Sequence, residues 1–228
     1  MEVILIPGLW LNGSSWDQVT PALREAGHHP VPLTLPGMEA KDADRSRISG
    51  KDYIDAIVAA IDAADGSVVL VGHSMGASWA HAAVDARPDR VVRAIYIGGF
   101  PLPDGTGGGF PEVNGEVPLF EWPDFDEADL RDLDDDVLAR FRERAIPSPA
   151  GAANDPQSLT DERRYDVPVT MVCPEFTSEM AKEWIAEGEI PELARIQDVT
   201  FVDLPTGHWP QFTKPDELAR VIIEAIET

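Results

Sequence analysis

The sequence predicts an α/β protein in which helices cover both faces of a mostly parallel sheet. Two observations predict this fold class: short unbroken apolar runs recur along the chain, and the segments between them have helical apolar spacing. Of the 228 residues, 43% are hydrophobic, which suffices for one sizeable core. We therefore expect a single domain over residues 1–228.

The predicted strands are runs of β-branched and other apolar residues, typical of strands that are buried on both faces. Residues 3–6 end at Pro7-Gly8, and residues 68–71 end at Gly72. Three further runs have the same character and lie at residues 94–97, 167–173 and 199–202.

Two amphipathic helices are marked by apolar spacing and by residues typical of helix starts. Ser49 is a candidate N-cap for a helix whose apolar positions recur at intervals of three and four: Tyr53, Ile54, Ile57, Val58 and Ile61. A C-terminal helix is predicted over residues 214–227, with Thr213 as a candidate cap and Pro215 in its first turn.

One region interrupts the alternation of strands and helices. Residues 101–166 are rich in proline, glycine and acidic residues, although residues 128–144 keep helical apolar spacing. We interpret this region, called the insertion below, as a small helical cap over the sheet.

Charge and cysteine content restrict the partners and the location. The chain has 41 acidic and 18 basic residues, a net charge of -23 that repels phosphate backbones and anionic lipids. We expect neither nucleic acid nor membranes as partners, but a small-molecule substrate; a homodimer is compatible with the sequence. With the single cysteine Cys173 and an N-terminus that enters a strand directly, we predict a cytoplasmic protein.

Gly72-His73-Ser74-Met75-Gly76 fits the pattern G-x-S-x-G. A predicted strand precedes it and a predicted helix, residues 78–87, follows it, which is the context of a nucleophile elbow. Ser74 is therefore the candidate nucleophile, and the Met75 N–H is a candidate donor to a substrate oxyanion.

A serine nucleophile needs a base, and His208 is the best candidate because it follows the last predicted strand, at the edge where parallel sheets bind ligands. The other histidines are less suitable: they lie at a helix end, within the elbow or within the following helix (His28, His29, His73 and His81).

The turn after the first strand supplies a second candidate oxyanion donor. Gly8 lets the backbone bend so that the Leu9 N–H joins that of Met75. Aromatic residues near these turns are candidates for an apolar substrate pocket, or are ordinary core residues: Trp10, Phe100 and Trp209, with Phe110 and Trp122.

Together these motifs resemble the α/β-hydrolase superfamily over essentially the whole chain. The resemblance is closest to the small-lid branch with plant methylesterases, hydroxynitrile lyases and uncharacterised bacterial hydrolases. It implies an enzyme without cofactor or metal that cleaves an ester-type bond of a small, hydrophobic carbonyl compound through Ser74, His208 and a carboxylate. Lactone, thioester and carbon–carbon hydrolysis remain alternatives, as does a ligand-binding receptor on the same scaffold.

The chain departs from the family at two positions. The lyases of this branch carry a lysine directly after the histidine, where this chain has Trp209, which disfavours lyase chemistry. The family's aspartate is also missing after the penultimate strand, so we predict that Glu175 orients His208, with Asp104 as the alternate acid and Glu179 or no acid as further alternatives.

Overall fold

A computed structural model describes all 228 residues. Its strands are β1 (Glu2–Ile6), β2 (His29–Pro32), β3 (Val68–His73), β4 (Val91–Ile97), β5 (Glu116–Val117), β6 (Ser148–Pro149), β7 (Val169–Cys173) and β8 (Val199–Asp203). Its α-helices are α1 (Thr20–Glu25), α2 (Gly50–Ala63), α3 (Met75–Ala86), α4 (Asp135–Arg144), α5 (Ala150–Asn154), α6 (Ser178–Glu187), α7 (Pro191–Ala194), α8 (Pro210–Thr213) and α9 (Pro215–Glu227). None of these helices combines the length and the apolar character needed to cross a membrane.

Six strands form one sheet in the order β2-β1-β3-β4-β7-β8, and every neighbouring pair is parallel. This confirms the predicted α/β fold class. The chain reverses its direction of travel across the sheet between β1 and β3, and the loops that follow these two strands therefore meet at a topological switch point.

The two faces of the sheet bury two separate apolar clusters. On one face, Ile4 and Leu70 pack with residues of α2 and α3. On the other, Val3 and Val69 pack with residues of α1 and α9. Because successive side chains of a strand point to opposite faces, the unbroken apolar runs in the sequence are the pattern that a sheet covered on both sides requires.

The edge strand β2 was not among the apolar runs. Its sequence, His29-Pro30-Val31-Pro32, contains two prolines, which lack the N–H that a central strand needs. Because β2 pairs only with β1, its other side needs no ladder hydrogen bonds.

The structure confirms one predicted helix cap and corrects the other. Ser49 forms a capping box with Asp52 at the start of α2. Thr213, in contrast, does not cap α9: it ends the short helix α8, and Lys214 is the N-cap residue. Pro215 lies in the first turn, as predicted, at the first helical position. An N–H at this position has no acceptor within the helix, so its absence in proline removes no helical hydrogen bond.

Within the insertion, the structure shortens the predicted helix at residues 128–144. Helix α4 covers only its second half, because the Asp134 carboxylate accepts the Val137 N–H at 2.8 Å and so begins the helix there. Asp132, with φ of 66°, lies in the left-handed region that a helix excludes. The insertion also contains the antiparallel pair β5-β6.

Candidate active site

Ser74 lies between the end of β3 and the start of α3 in a strained backbone conformation, with φ of 55° and ψ of -125°. Its N–H donates to the carbonyl of Ile97 at 2.8 Å, and its own carbonyl accepts the Ala77 N–H at 2.9 Å. Helix α3 begins at Met75, three residues before the predicted start. Positive φ is costly for a residue with a Cβ, by about 1–3 kcal/mol, and such strain is concentrated at functional sites.

The two glycines of the motif are required by close approach. A Cβ on Gly72 would lie 2.3 Å from the carbonyl oxygen of Gly76, and a Cβ on Gly76 would lie 2.7 Å from the carbonyl oxygens of Ile6 and Pro7. These glycines therefore allow β3 to turn sharply into α3 directly beside the end of β1.

The turn after β1 lies against Ser74. A Cβ on Gly8 would be 2.9 Å from the Cβ of Ser74. The Leu9 N–H donates no hydrogen bond within the protein, and Met75 is at the first helical position, where an N–H has no acceptor within the helix. The sheet thus brings both predicted oxyanion donors to the same end of neighbouring strands.

His208 and Glu175 form a hydrogen-bonded pair. The His208 Nδ1–H donates to the Glu175 Oε1 at 2.7 Å, and both side chains are largely buried, with 17% and 13% exposed. The loops that carry them are also joined, because the Thr206 N–H donates to the carbonyl of Pro174 at 3.2 Å.

The other candidate acids lie elsewhere. The exposed Asp104 accepts the Leu159 N–H at 2.9 Å, and no hydrogen bond or ion pair joins it to His208. Glu179 accepts instead from the hydroxyl of Ser178. Nothing in the spacing along the chain distinguishes these carboxylates; only the approach of the β7 and β8 loops does.

The environment of His208 favours its charged form. Burial opposes protonation, but the hydrogen bond and the charge of Glu175, together with the charge of Asp129, outweigh it and raise the pKa of His208 above its ordinary value. An imidazole of raised pKa in contact with a carboxylate is suited to accept a proton.

His73 is a contact of His208 that the sequence did not reveal. Its Nε2–H donates to the backbone carbonyl of His208 at 2.7 Å, and its Nδ1 accepts from the Gln211 amide at 3.3 Å. Burial, with the charge of His208 as a smaller contribution, lowers the pKa of His73 to about 3, so this ring is neutral. As the variable residue next to Ser74, it carried no signal in the motif.

The Ser74 hydroxyl is not hydrogen-bonded to His208, and the two loops meet through His73. The rings of His73 and His208 have centroids 5.0 Å apart, and His73 directly precedes Ser74. A hydroxyl–imidazole hydrogen bond that forms only when substrate binds is common in enzymes without ligand.

The predicted pocket aromatics fall into two groups. Trp10 packs edge-on against Phe120 and Phe125, and Trp209 packs edge-on against Phe125 and Phe141. Phe110 and Trp122 extend this group through Phe120 and Phe125. Phe100 belongs to a second group, with Phe176 and Trp184.

Trp10 also joins the turn after β1 to the insertion. Its N–H donates to the Ser148 hydroxyl at 2.8 Å, its Nε1–H donates to the carbonyl of Val117 at 3.2 Å, and its own carbonyl accepts the Ile146 N–H at 3.0 Å. The Trp10 N–H is therefore not free to bind a substrate oxygen.

A six-stranded parallel sheet with a strained serine after β3 defines the class of α/β-hydrolase folds. The chain belongs to the alpha/beta hydrolase family, since a model of that family matches residues 3–221. The resemblance inferred from the motifs is thereby confirmed.

Relatives and solved structures agree with this family. The chain is 25% identical to Methylesterase 7 of Arabidopsis thaliana, over 98% of this chain and 95% of the relative. An extracellular alpha/beta-hydrolase from a Paenibacillus species, which shares structural and functional homology with tobacco salicylic acid binding protein 2, superposes with a TM-score of 0.79 at 19% identity, over 99% and 98% of the two chains. A methylesterase from Arabidopsis also superposes with a TM-score of 0.79, at 16% identity, over 100% and 99%.

Proposed function

We propose that the protein is a serine hydrolase that cleaves carboxylic esters through an acyl-enzyme. The observation that carries the proposal is the His208–Glu175 pair, with Nδ1 and Oε1 2.7 Å apart, in contact through His73 with the turn that holds Ser74 at positive φ. The similarity to plant methylesterases supports an ester as the substrate class.

The reaction follows from the positions of these groups. The Ser74 hydroxyl attacks the substrate carbonyl carbon while Nε2 of His208 takes its proton, and Glu175 stabilises the imidazolium. The N–H groups of Leu9 and Met75 bind the resulting oxyanion. The tetrahedral intermediate then expels the alcohol, which takes the proton from His208. Water, activated by the same imidazole, releases the acid and restores Ser74.

We infer that the substrate is small and apolar. Trp10 directly follows Leu9, and Trp209 directly follows His208. Phe100 directly follows Gly99, which packs so closely on Ser74 that a Cβ added to it would lie 2.1 Å from the Ser74 carbonyl oxygen. Apolar and aromatic surfaces around a few polar groups are typical of small-molecule sites. The insertion is hydrogen-bonded to the turn with Trp10 and to the loop with His208, and would then act as a cap over the substrate.

A panel of acyl-chain and aryl esters, assayed with the wild type and Ser74→Ala, tests this function. We expect multiple turnovers by the wild type and a loss of kcat of about 10⁴-fold or more in the variant. A single slow turnover accompanied by a large thermal shift would instead identify a ligand-binding protein, because tight ligand binding raises the melting temperature by mass action. Turnover that survives Ser74→Ala would contradict the proposal.

A further inference from the structure

A second carboxylate lies beside the His208–Glu175 pair. The carboxylate of Asp129, an oxygen of Glu175 and a ring nitrogen of His208 all lie within 4.8 Å of one another. Asp129 belongs to the insertion and lies 46 positions before Glu175 in the chain. The sequence predicts helix at this position, within residues 128–144. Its backbone is instead in a turn before α4, and its side chain is partly buried.

The backbone of Asp129 is attached to the loop that carries His208. The His208 N–H donates to the carbonyl of Asp129 at 2.8 Å. Gly207 leaves the space for this contact, since a Cβ there would lie 2.5 Å from the carbonyl oxygen of Asp129 and 2.3 Å from that of Arg131. Asp129 therefore has a fixed position relative to the imidazole, unlike an acidic residue on a free surface.

The titratable neighbours of His208 come from three parts of the chain: the loop after β7, the elbow and the insertion. Glu175 and Asp129 contribute negative charge, and His73 is neutral. Asp126 adds a further negative charge next to Asp129, and Arg131 lines a cavity of about 390 Å³ together with Glu175. The two carboxylates closest to the ring both favour an imidazolium.

We propose that Asp129 is a positioning residue that acts through His208. Its carbonyl holds the histidine loop, and its carboxylate stabilises the imidazolium that forms once His208 has taken the Ser74 proton. The inference rests on the proposed function, because the imidazolium is an intermediate of that reaction. It also assigns the insertion a second task beside covering the substrate: completing the electrostatics of the base.

The direction of the effect follows from charge. A negative group within a few ångströms of an imidazole favours its protonated form, and substitution by a neutral isostere removes that contribution. Asp129→Asn keeps the backbone contact and an acceptor for the Asp126 N–H, which donates to the Asp129 carboxylate at 3.3 Å. The substitution therefore separates the charge of Asp129 from its structural contacts.

Glu127→Gln is the matched control. Glu127 lies two positions away in the same turn, is exposed, and loses one negative charge in the same way. The two variants change the net charge of the protein equally, so a difference between them reports the position of the charge.

The experiment is an NMR titration of the His208 imidazole in the wild type, Asp129→Asn and Glu127→Gln, with a chelator present so that bound metal plays no part. His208→Ala assigns the signal. We expect the His208 pKa to fall in Asp129→Asn and to stay near the wild-type value in Glu127→Gln. In an ester assay of Asp129→Asn, the midpoint pH of the acid limb of kcat/KM should fall by the same amount as the His208 pKa. The kcat on the alkaline plateau should stay within about tenfold of the wild type.

An unchanged His208 pKa in Asp129→Asn would overturn the inference, as would an equal shift in both variants. If the asparagine variant does not fold, Asp129→Ser allows the same comparison. Because the titration needs no substrate, a protein without esterase activity would overturn the proposed function while the measured pKa still decides the electrostatic coupling of Asp129 to His208.

Discussion

The molecule contains two histidine–carboxylate pairs that differ in the direction of the histidine pKa. His208 and Glu175 are 2.7 Å apart at the carboxyl end of the sheet, whereas His81 and Glu192 are 3.0 Å apart and almost fully buried, with 1% and 5% exposed. The pKa of His208 is raised and that of His81 is lowered. A short contact with a carboxylate therefore does not by itself make a histidine basic.

The difference lies in the neighbours of each pair. Burial is the largest influence on the pKa of His81. Arg164 donates to the same Glu192 oxygen at 2.7 Å, so that oxygen is already paired with a cation. Arg164 also pairs with Asp85 at 3.1 Å. His208 has no such cation within its pair and has Asp129 as a second carboxylate. The His81–Glu192 pair is a structural link that joins α3 to α7, and the His208–Glu175 pair is suited to move a proton.

Loss of the carboxylate of Glu175 should have the largest effect on activity. We expect Glu175→Gln to lower kcat by about 10³ to 10⁴-fold, because the amide does not stabilise the imidazolium and does not hold the ring with the correct nitrogen protonated. Steady-state kinetics on an ester substrate measure this loss.

Asp104→Asn is the control for this comparison, since it removes an acid that is hydrogen-bonded to the Leu159 N–H and not to His208. It should leave kcat near the wild-type value. Equal losses in the two variants would show that Glu175 is not the partner that matters.

Loss of the buried His81–Glu192 pair should lower stability and leave activity nearly unchanged. We expect Glu192→Gln to lower the free energy of unfolding by about 3 kcal/mol, because it leaves the buried Arg164 with one carboxylate fewer. Denaturant unfolding measures the change, and kcat at a temperature where the variant is folded should remain within a few-fold of the wild type. A stable variant with a large loss of kcat would contradict the division between the two pairs.

The raised pKa of His208 has a consequence for the pH dependence of catalysis. The neutral ring is the active base, so kcat/KM should fall as the pH drops through a pKa above 6.5, the ordinary histidine value. A pH–rate profile of the wild type measures the midpoint. A midpoint clearly below that value would mean that burial, not the carboxylates, dominates at His208.

The smallest effects concern stability, and the two histidines should contribute to it with opposite signs. Native His81 has a lowered pKa, so below pH 6.5 the unfolded chain binds more protons and stability is lost as the pH falls. Native His208 has a raised pKa, so its contribution is present below pH 6.5 and is lost as the pH rises through its folded pKa. Unfolding of His81→Gln and His208→Gln between pH 5 and 9, each compared with the wild type, should therefore give differences of opposite slope.

The sequence was sufficient for the elements whose signal is local. Apolar runs predicted five of the six sheet strands, and a strand before and a helix after G-x-S-x-G set Ser74 apart from the other serines. The sixth strand, β2, is not an apolar run, because two prolines interrupt it, and an edge position tolerates them.

The parts of the site that depend on long-range approach could not be predicted in this way. The preference for Glu175 over Asp104 came from the resemblance to the family, because spacing along one chain does not show which loop packs beside His208. His73 and Asp129 showed no signal at all, since one is a variable residue of the motif and the other lies in an acidic stretch without a recognisable pattern. Only the approach of Gly207 to the insertion brings Asp129 to the histidine.

Reaction with a serine-directed fluorophosphonate, followed by mass spectrometric mapping of the adduct, tests the central claim most directly. We expect a single adduct on Ser74, formed at a rate that falls steeply in His208→Ala and less in Asp129→Asn, with esterase activity lost in proportion to labelling. An adduct on another residue that abolishes activity while Ser74 stays unmodified would contradict the account.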